Sequence, residues 1–265
     1  MANGMVVPKV FADHWEQIEA TAVDSVEIKA DPSNNIKITD SSFGSMPFIP
    51  IGFDYPKDDN NSPMIPLAQL NFSEIPALAG YPEKGLLQFY IKNDDAYGLD
   101  FDDQCNPASF RVIYIETPEN LVAEPDTDFI KELLNSENTP VSKPHRLSFA
   151  KKTQYLGVGD YRYNLHPFSV DDWIKDYDED TREDLQERSY DIFSNNAHRI
   201  GGYAYFTQTD PREYNQQTMH SLLLFQIDTD DEIMWGDSGV GNFFISPEDL
   251  ANKNFTRVMY NWDCC

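Results

Sequence analysis

A serine in a glycine-rich turn and a dense run of carboxylates are the features of this 265-residue sequence that could do chemistry. Gly236–Gly239 reads Gly-Asp-Ser-Gly, in which Ser238 could act as a nucleophile if adjacent backbone N–H groups formed an oxyanion hole. Val240 stands where a serine-protease loop needs another glycine, and the five histidines lie in unrelated contexts. We therefore interpret the stretch as a tight turn in which Asp237 or Ser238 bonds local backbone.

The carboxylate run follows Asn93 and surrounds Gly98. Carboxylate oxygens at this density could hold calcium or magnesium, although an exposed acidic loop without any metal is the simpler interpretation. A second acidic run at Asp228–Glu232 lacks the central glycine and terminal glutamate of a helix-loop-helix calcium site. We therefore expect no cofactor, with calcium or magnesium as the alternative. The candidate metal ligands are Asp94, Asp95, Asp100, Asp102 and Asp103.

A ligand groove is the other candidate site, because aromatic and polar residues concentrate near Gly201-Gly202 and after it. Buried amides must be paired, so Gln69 and Gln226 are also expected to bond backbone groups, and Arg111 and Arg257 to form ion pairs within the fold. No histidine or cysteine has zinc-ligand spacing. The candidate groove residues are Tyr203, Tyr205, Gln208, Arg212, Gln226, Trp235, Asp237 and Ser238.

Charge is the most extreme global property, since 45 acidic and 20 basic residues give a net charge of −25. Such a surface repels nucleic-acid phosphates and attracts basic proteins and divalent cations. Three cysteines provide no disulfide framework, and the sequence contains neither a signal-peptide pattern nor an apolar run of membrane-spanning length. We expect a cytoplasmic protein with reduced thiols that binds neither nucleic acid nor membrane.

Four short blocks recur in the same order in two parts of the chain. The offset between copies is 157 residues for the first two blocks, 154 for the third and 146 for the fourth. We call the offset of the first two blocks the repeat offset. Because short isolated sheets are marginal, we expect the two copies to pack on each other. The pairs are Gly44–Phe48 with Gly201–Tyr205, Leu67–Asn71 with Leu224–Asp228, Gln88–Ile91 with Asn242–Ile245, and Arg111–Tyr114 with Arg257–Tyr260.

Residues outside the blocks carry other patterns. Helical spacing predicts a helix over Val10–Ala22, and acidic or threonine starts with apolar periodicity predict helices over Asp126–Leu134 and Asp180–Phe193. Alternation at Asp24–Ala30 and Ile36–Thr39 predicts a hairpin or two edge strands.

Together these patterns predict an α+β, mainly β fold of two related antiparallel units in a roll-like arrangement, with inserted helices. We divide the single compact domain into an N-terminal helix and strands, a first β repeat, a helical insertion and a second β repeat. The corresponding residues are 1–43, 44–116, 117–200 and 201–265.

The chain also resembles a known family. The segments LAQLNFSEIP, GLLQFYI, HRIGGYAYFTQTDPR, LLLFQID, MWGDSGVGNFFI and YNWDC look like those of the YwqG family of bacterial proteins, over most of 44–265. Ser45 stands where a second glycine is expected, and Ala204 where a proline is expected. The resemblance implies a β-rich, roll-like fold and a bacterial cytosolic setting, and it provides no activity or catalytic residues.

Two functions remain open. The charge and the lack of a catalytic constellation favour a non-enzymatic interaction protein, of the immunity or antitoxin kind, that binds a basic protein. The alternative is a small-ligand-binding protein or enzyme with its site in the groove between the repeats.

Overall fold

The computed structural model of the chain describes residues 6–123, 127–166 and 168–265. These residues form one antiparallel sheet of ten strands with six α-helices around it, which confirms the mainly β class. The strands are β1 Val23–Pro32, β2 Ser42–Phe43, β3 Ile65–Asn71, β4 Leu86–Ile91, β5 Phe110–Ile115, β6 His145–Gln154, β7 Arg199–Gly201, β8 Leu222–Asp228, β9 Val240–Ile245 and β10 Val258–Asp263. The helices are α1 Lys9–Asp13, α2 Trp15–Glu19, α3 Asp128–Leu134, α4 Val170–Ile174, α5 Glu179–Phe193 and α6 Pro247–Ala251.

The strands follow the order β10-β9-β8-β7-β1-β6-β2-β3-β4-β5. At the centre, β1 and β6 pair antiparallel along their whole length. We call β2–β5 the first wing and β7–β10 the second wing. The wings join the centre crosswise, because β7 pairs with β1 and β2 pairs with β6.

The predicted hairpin at Asp24–Ala30 and Ile36–Thr39 is wrong. Residues 24–30 belong to β1, which has a neighbour on each side, and residues 36–39 form no strand. Alternation reports that a strand is half buried, but it does not identify the strand's partners. Those partners, β6 and β7, lie much later in the chain, and β6 falls within the segment that was predicted to be a helical insertion.

The two wings match strand by strand. β3 and β8 have the same length, start at the repeat offset and each carry a bulge, between Pro66 and Ala68 and between Leu223 and Phe225. β4 and β9 start at the offset predicted for the third block.

The fourth block needs a correction. Val112 pairs with Phe89 of β4, and Tyr260 pairs with Phe243, the equivalent residue of β9. The sheet register therefore matches Val112 with Tyr260, whereas the predicted alignment matched it with Val258 and is wrong by two positions. An even error leaves side chains on the same face of a strand, so the alternation pattern could not reveal it.

Both wings hold their first connection with a buried glutamine, as expected. In each wing the amide oxygen accepts from one backbone N–H, and the amide nitrogen donates to two carbonyls on the preceding loop. Gln69 bonds Phe48, Ile38 and Asp40 at 2.8, 2.9 and 3.0 Å, and Gln226 bonds Tyr205, Asn195 and Ala197 at 2.8, 2.9 and 2.7 Å. Each partner of Gln69 and its counterpart at Gln226 are again separated by the repeat offset.

The apolar faces of the two wings meet in one core. Phe89 of the first wing packs against Phe225 and Phe243 of the second, with ring centroids 4.7 and 4.8 Å apart. At the far ends of the sheet, Phe110 lies 5.3 Å from Tyr260. The sheet is therefore strongly curled, and its two end strands approach each other.

A second core lies outside the sheet, among α1, α2, α4 and α5. Asp178 caps the N-terminus of α5, where its carboxylate accepts from the Thr181 N–H at 3.0 Å, and the helix buries Leu185, Ile192 and Phe193. Among the described residues, no helix is both long and apolar enough to cross a membrane.

Two helix predictions need correction. The predicted helix over Val10–Ala22 is broken into α1 and α2 at His14, whose ring stacks on Trp173 of α4 at 4.4 Å. This long-range contact is not visible in local periodicity. The helix predicted to begin at Asp126 is present from Asp128, and Asp126 itself lies outside the described residues.

Candidate functional site

The Gly-Asp-Ser-Gly stretch is a tight turn, as expected. Gly236 and Ser238 both have positive φ values, of 54° and 61°, and the Gly239 N–H donates to the Trp235 carbonyl at 2.7 Å. Ser238 is exposed, and no hydrogen bond joins it to a histidine among the described residues. The geometry offers this serine no general base.

The carboxylates of the acidic loop mostly cap their own turns. Asp94 accepts from the Gly98 N–H at 2.9 Å, and Asp100 accepts from the N–H groups of Asp102 and Asp103. A bond from Asn106, together with these backbone bonds, lowers the pKa of Asp100. Asp95 and Asp102 are exposed. Within the three described ranges, no group of three or more His, Cys, Asp or Glu side chains is placed to hold a metal ion.

Arg212, a candidate groove residue, is buried in an ion network instead. It bonds both oxygens of Asp210, at 2.9 and 2.6 Å, and Asp160 at 2.9 Å. A fourth N–H, on Nη1, donates to the Ser221 carbonyl at 2.9 Å. Arg162 also pairs with Asp160. Since four of its five N–H donors are bonded inside the fold, Arg212 has a structural role.

Most other groove candidates also direct their polar groups inward. The Tyr203 hydroxyl donates to the Thr21 carbonyl at 2.7 Å, and Gln226 is occupied as described above. Trp235 is fully buried, with its ring against Gly241. Gln208 is exposed and donates to the Cys264 carbonyl at 2.7 Å. A ligand-binding role for Tyr205, Asp237 and Ser238, which remain partly or fully exposed, stays a prediction.

His198 is held in a single tautomer. Its Nδ1 accepts from the Asp228 backbone N–H at 2.9 Å, so Nε2 carries the proton and donates to Asp230 at 3.1 Å. Burial opposes ionisation of Asp230, but the bonds from His198 and from backbone N–H groups lower its pKa to about 2. With both nitrogens engaged, His198 is not available as a general base.

We call the helices of the second core, α1, α2, α4 and α5, the helical layer. A groove on this layer is open to solvent and was not predicted from the sequence. It runs between α4 and α5 and consists of two adjoining cavities of about 390 and 290 Å³, which share Asp171 and Gln186. We call it the helical groove. α5 spans fifteen residues, so the groove is about 20 Å long.

The helical groove combines an apolar floor with a charged rim. Val158, Tyr163, Val170, Tyr190 and Phe193 line its smaller cavity. The larger cavity is lined by Asp171, Glu179 and Glu183 together with Lys175 and Arg182. None of those three carboxylates forms an ion pair with a described cation. Lys175 and Arg182 line the same cavity without pairing with them, unlike the arginines of the ion network.

The surface around the groove is strongly acidic. Between residues 171 and 191 the exposed acids far outnumber the exposed bases. The sequence contained this signal, since the helix and its charges were both recognisable, but the apolar floor depends on residues before α4 that lack helical spacing. The acids are Asp171, Asp172, Asp176, Asp178, Glu179, Asp180, Glu183, Asp184, Glu187 and Asp191, and the bases are Lys175, Arg182 and Arg188.

Comparison with known proteins identifies one family. A family model described as "Domain of unknown function (DUF1963)" matches residues 41–264, which include both wings, β6 and the helical groove but not β1. No curated protein matches the chain.

Proposed function

The chain belongs to the DUF1963 family of domains of unknown function, and we propose that it is a non-enzymatic interaction module whose helical groove binds a basic partner. The proposal rests on one observation: the groove combines an apolar floor with the carboxylates of Asp171, Glu179 and Glu183, none of which forms an ion pair with a described cation. A floor of this kind gains free energy from burial of apolar surface, and the rim selects partners of opposite charge.

An amphipathic basic helix is the partner segment that fits best. α4 and α5 present two helical walls, and a third helix can place its apolar side between them, as in other helix-in-groove complexes. Lysine and arginine on the flanks of such a helix would meet the acidic rim. The net charge of −25 also accelerates encounter with a basic protein at low salt.

A labelled amphipathic peptide of leucine and lysine tests the proposal by fluorescence anisotropy. We expect saturable binding that weakens as salt is added, because rim ion pairs are screened. The combined variant Asp171→Asn, Glu179→Gln and Glu183→Gln should weaken binding about tenfold, since three partly exposed ion pairs are lost.

The matched control changes the same amount of charge elsewhere, through Asp13→Asn, Glu119→Gln and Glu132→Gln at exposed positions outside the groove. It should bind the peptide about as well as the unaltered protein. Equal weakening by both triple variants would show that overall charge, and not the groove, attracts the peptide, and would overturn the proposal.

We also propose that the chain arose by internal duplication. The matching bulges, the matching glutamine bonds and the strand order about the β1–β6 centre support this origin. Each copy would then contain five strands, β1–β5 and β6–β10, with the first strand of each copy placed beside the second strand of the other. The repeat boundaries at 44–116 and 201–265 would extend to include β1 and β6.

We further propose, from the resemblance to YwqG proteins, that the chain is bacterial and cytoplasmic. The three cysteines Cys105, Cys264 and Cys265 are free thiols in the structure, in keeping with a reducing compartment.

A further inference from the structure

The two end strands of the sheet border a cavity. Among the described residues, β5 pairs only with β4, and β10 only with β9, so each has one edge without a neighbouring strand. A cavity of about 420 Å³ lies between β5 and residues 255–258 at the start of β10. We call it the seam cavity. Its volume is in the range of roughly 300–1,000 Å³ that is typical of small-ligand sites.

The wall of the seam cavity is largely apolar. Phe110, Val112 and Ile113 line it from β5, and Phe255 and Val258 line it from the other side. Thr256 is exposed at its mouth. A ligand with an alkyl or aryl body would therefore bury apolar surface against both wings at once.

Arg111 supplies a charge at this apolar site that the fold does not use. It is half-buried and lines the seam cavity, and within the described part of the chain its side chain donates one hydrogen bond, to the Phe110 carbonyl at 3.1 Å. No carboxylate of the described residues forms an ion pair with it, so the ion pair predicted for Arg111 is wrong. Arg257, in contrast, pairs with Asp249 at 2.5 Å as predicted. Burial lowers the pKa of Arg111 below its ordinary value, which is the result of desolvation without a counter-charge.

A second cation lies beside Arg111. Lys57 and Arg111 both line an adjoining cavity of about 290 Å³, together with Asp54, and Lys57 forms no ion pair with a described carboxylate. Two unpaired cations at one place are unexpected in a chain whose net charge is −25. Repulsion by distant carboxylates is largely screened beyond about 10 Å at 0.1 M salt, so the local charge is determined by Arg111, Lys57 and Asp54, which carry two positive charges and one negative charge.

We propose that the seam cavity binds a small amphipathic carboxylate, with the carboxylate at Arg111 and the alkyl or aryl body between β5 and residues 255–258. The planar guanidinium suits a carboxylate because it can donate two parallel hydrogen bonds. Lys57 and Asp54 lie on the wall of the adjoining cavity, which Arg111 also lines. This site is distant in sequence from the helical groove, and the proposal does not rest on the one made for that groove.

Displacement of a dansyl-labelled fatty acid by decanoate and by decanol tests this assignment on the full-length protein. The two competitors share an alkyl chain and differ in the charge of the head group. We expect decanoate to compete about tenfold better than decanol, because decanol lacks the negative charge that strengthens the hydrogen bonds to the partly exposed Arg111. Arg111→Gln should remove that difference, and Arg111→Lys should restore part of it.

Two further variants complete the test. Thr256→Trp, at an exposed position, should block the cavity mouth and weaken both competitors. Arg188→Gln removes an exposed arginine on α5 and should change neither. The proposal is overturned if decanol competes as well as decanoate in the unaltered protein. It is also overturned if Arg188→Gln removes the difference between the two competitors as Arg111→Gln does, or if Thr256→Trp leaves the competition by both unchanged. Circular dichroism of each variant establishes that it is folded.

Discussion

The loop between β2 and β3 in the first wing contains Tyr55, and the loop between β7 and β8 in the second wing contains Arg212. The two residues are separated by the repeat offset. The Tyr55 hydroxyl donates to the Met64 carbonyl at 2.9 Å, and Arg212 donates at 2.9 Å to the carbonyl of Ser221, which is the equivalent of Met64. Each side chain also packs on an aromatic ring of the adjacent strand: Tyr55 lies 5.5 Å from Tyr90, and Arg212 lies 4.5 Å from Phe244.

The difference in charge has consequences for the surroundings. A buried phenol needs one acceptor, whereas a buried guanidinium needs carboxylates, because an unpaired buried charge is costly. Asp210 is local, but Asp160 comes from the segment between β6 and α4. Arg212 therefore ties this segment, and with it the start of the helical layer, to the second wing. Among the described residues, no ion pair joins the first wing to this segment.

The largest expected effect comes from breaking the network at this point. Arg212→Ala leaves the buried Asp210 without a counter-charge and Asp160 with Arg162 alone, and it should lower the free energy of unfolding by about 3–5 kcal/mol. Tyr55→Phe removes one neutral hydrogen bond and should cost about 1 kcal/mol. Urea unfolding followed by tryptophan fluorescence measures both.

If the two substitutions had similar costs, the contrast between the wings would be wrong. Arg212→Lys serves as a control that keeps the charge but not the planar fork, and we expect a cost between the other two.

The buried glutamines test the similarity of the wings. Gln69→Leu and Gln226→Leu each leave one N–H and two carbonyls without partners, so each should lower the free energy of unfolding by about 2–4 kcal/mol. The backbone bonds match, but the Gln69 oxygen also accepts from the Gln88 side-chain amide at 2.8 Å, so Gln69→Leu should cost about 1 kcal/mol more than Gln226→Leu. A much larger difference in urea unfolding would mean that the matched geometry carries unequal energies.

A smaller effect is expected at Ser41 and His198, which are also separated by the repeat offset. The Ser41 hydroxyl accepts from the Asn71 N–H at 2.8 Å, as His198 Nδ1 accepts from Asp228. Ser41→Ala should cost about 1 kcal/mol. His198→Ala should cost about twice as much, since it also removes a buried ring from Phe43. Equal costs in thermal unfolding would show that the ring adds nothing.

The smallest expected effects are changes in the free energy of unfolding with pH, at low pH through Asp160 and at high pH through Tyr55. Burial opposes the charge of Asp160, but Arg162 and Arg212 outweigh burial and lower its pKa. Its contribution is therefore present above its ordinary pKa and is lost as pH falls through the folded value. Burial raises the pKa of Tyr55. The contribution of its neutral hydroxyl to stability is therefore present at neutral pH and is lost as pH rises past about 10.

Comparison of variants isolates each contribution. Between pH 7 and about pH 3, the unaltered protein should lose more stability than Asp160→Asn, and between pH 8 and about pH 11 it should lose more than Tyr55→Phe. Each variant should follow the unaltered protein at the opposite extreme, as measured by urea unfolding midpoints. A variant that departs from it at both extremes would contradict the assignment.

Much of the fold could be predicted because its signals are local. The blocks at Leu67–Asn71 and Leu224–Asp228 coincide with matched strands, and the acidic start of α5 lies within one residue of its prediction. The candidate site was harder. Arg212, Gln226 and Trp235 were selected for residue type near glycine turns, but residue type does not distinguish a side chain that lines a groove from one that is bonded inside the fold.

The sequence by itself determined the strand periodicity, the turn glycines, the helix starts and the net charge, because each depends on composition or on residues close together in the chain. Only the tertiary structure decided that β1 pairs with β6 and β7, that Asp160 meets Arg212, and that Arg111 forms no ion pair with any carboxylate in the described ranges. These contacts join residues that are far apart in the chain, as in the pairing of β1 with β7. Their choice depends on which faces and charges remain unpaired once the whole sheet has formed.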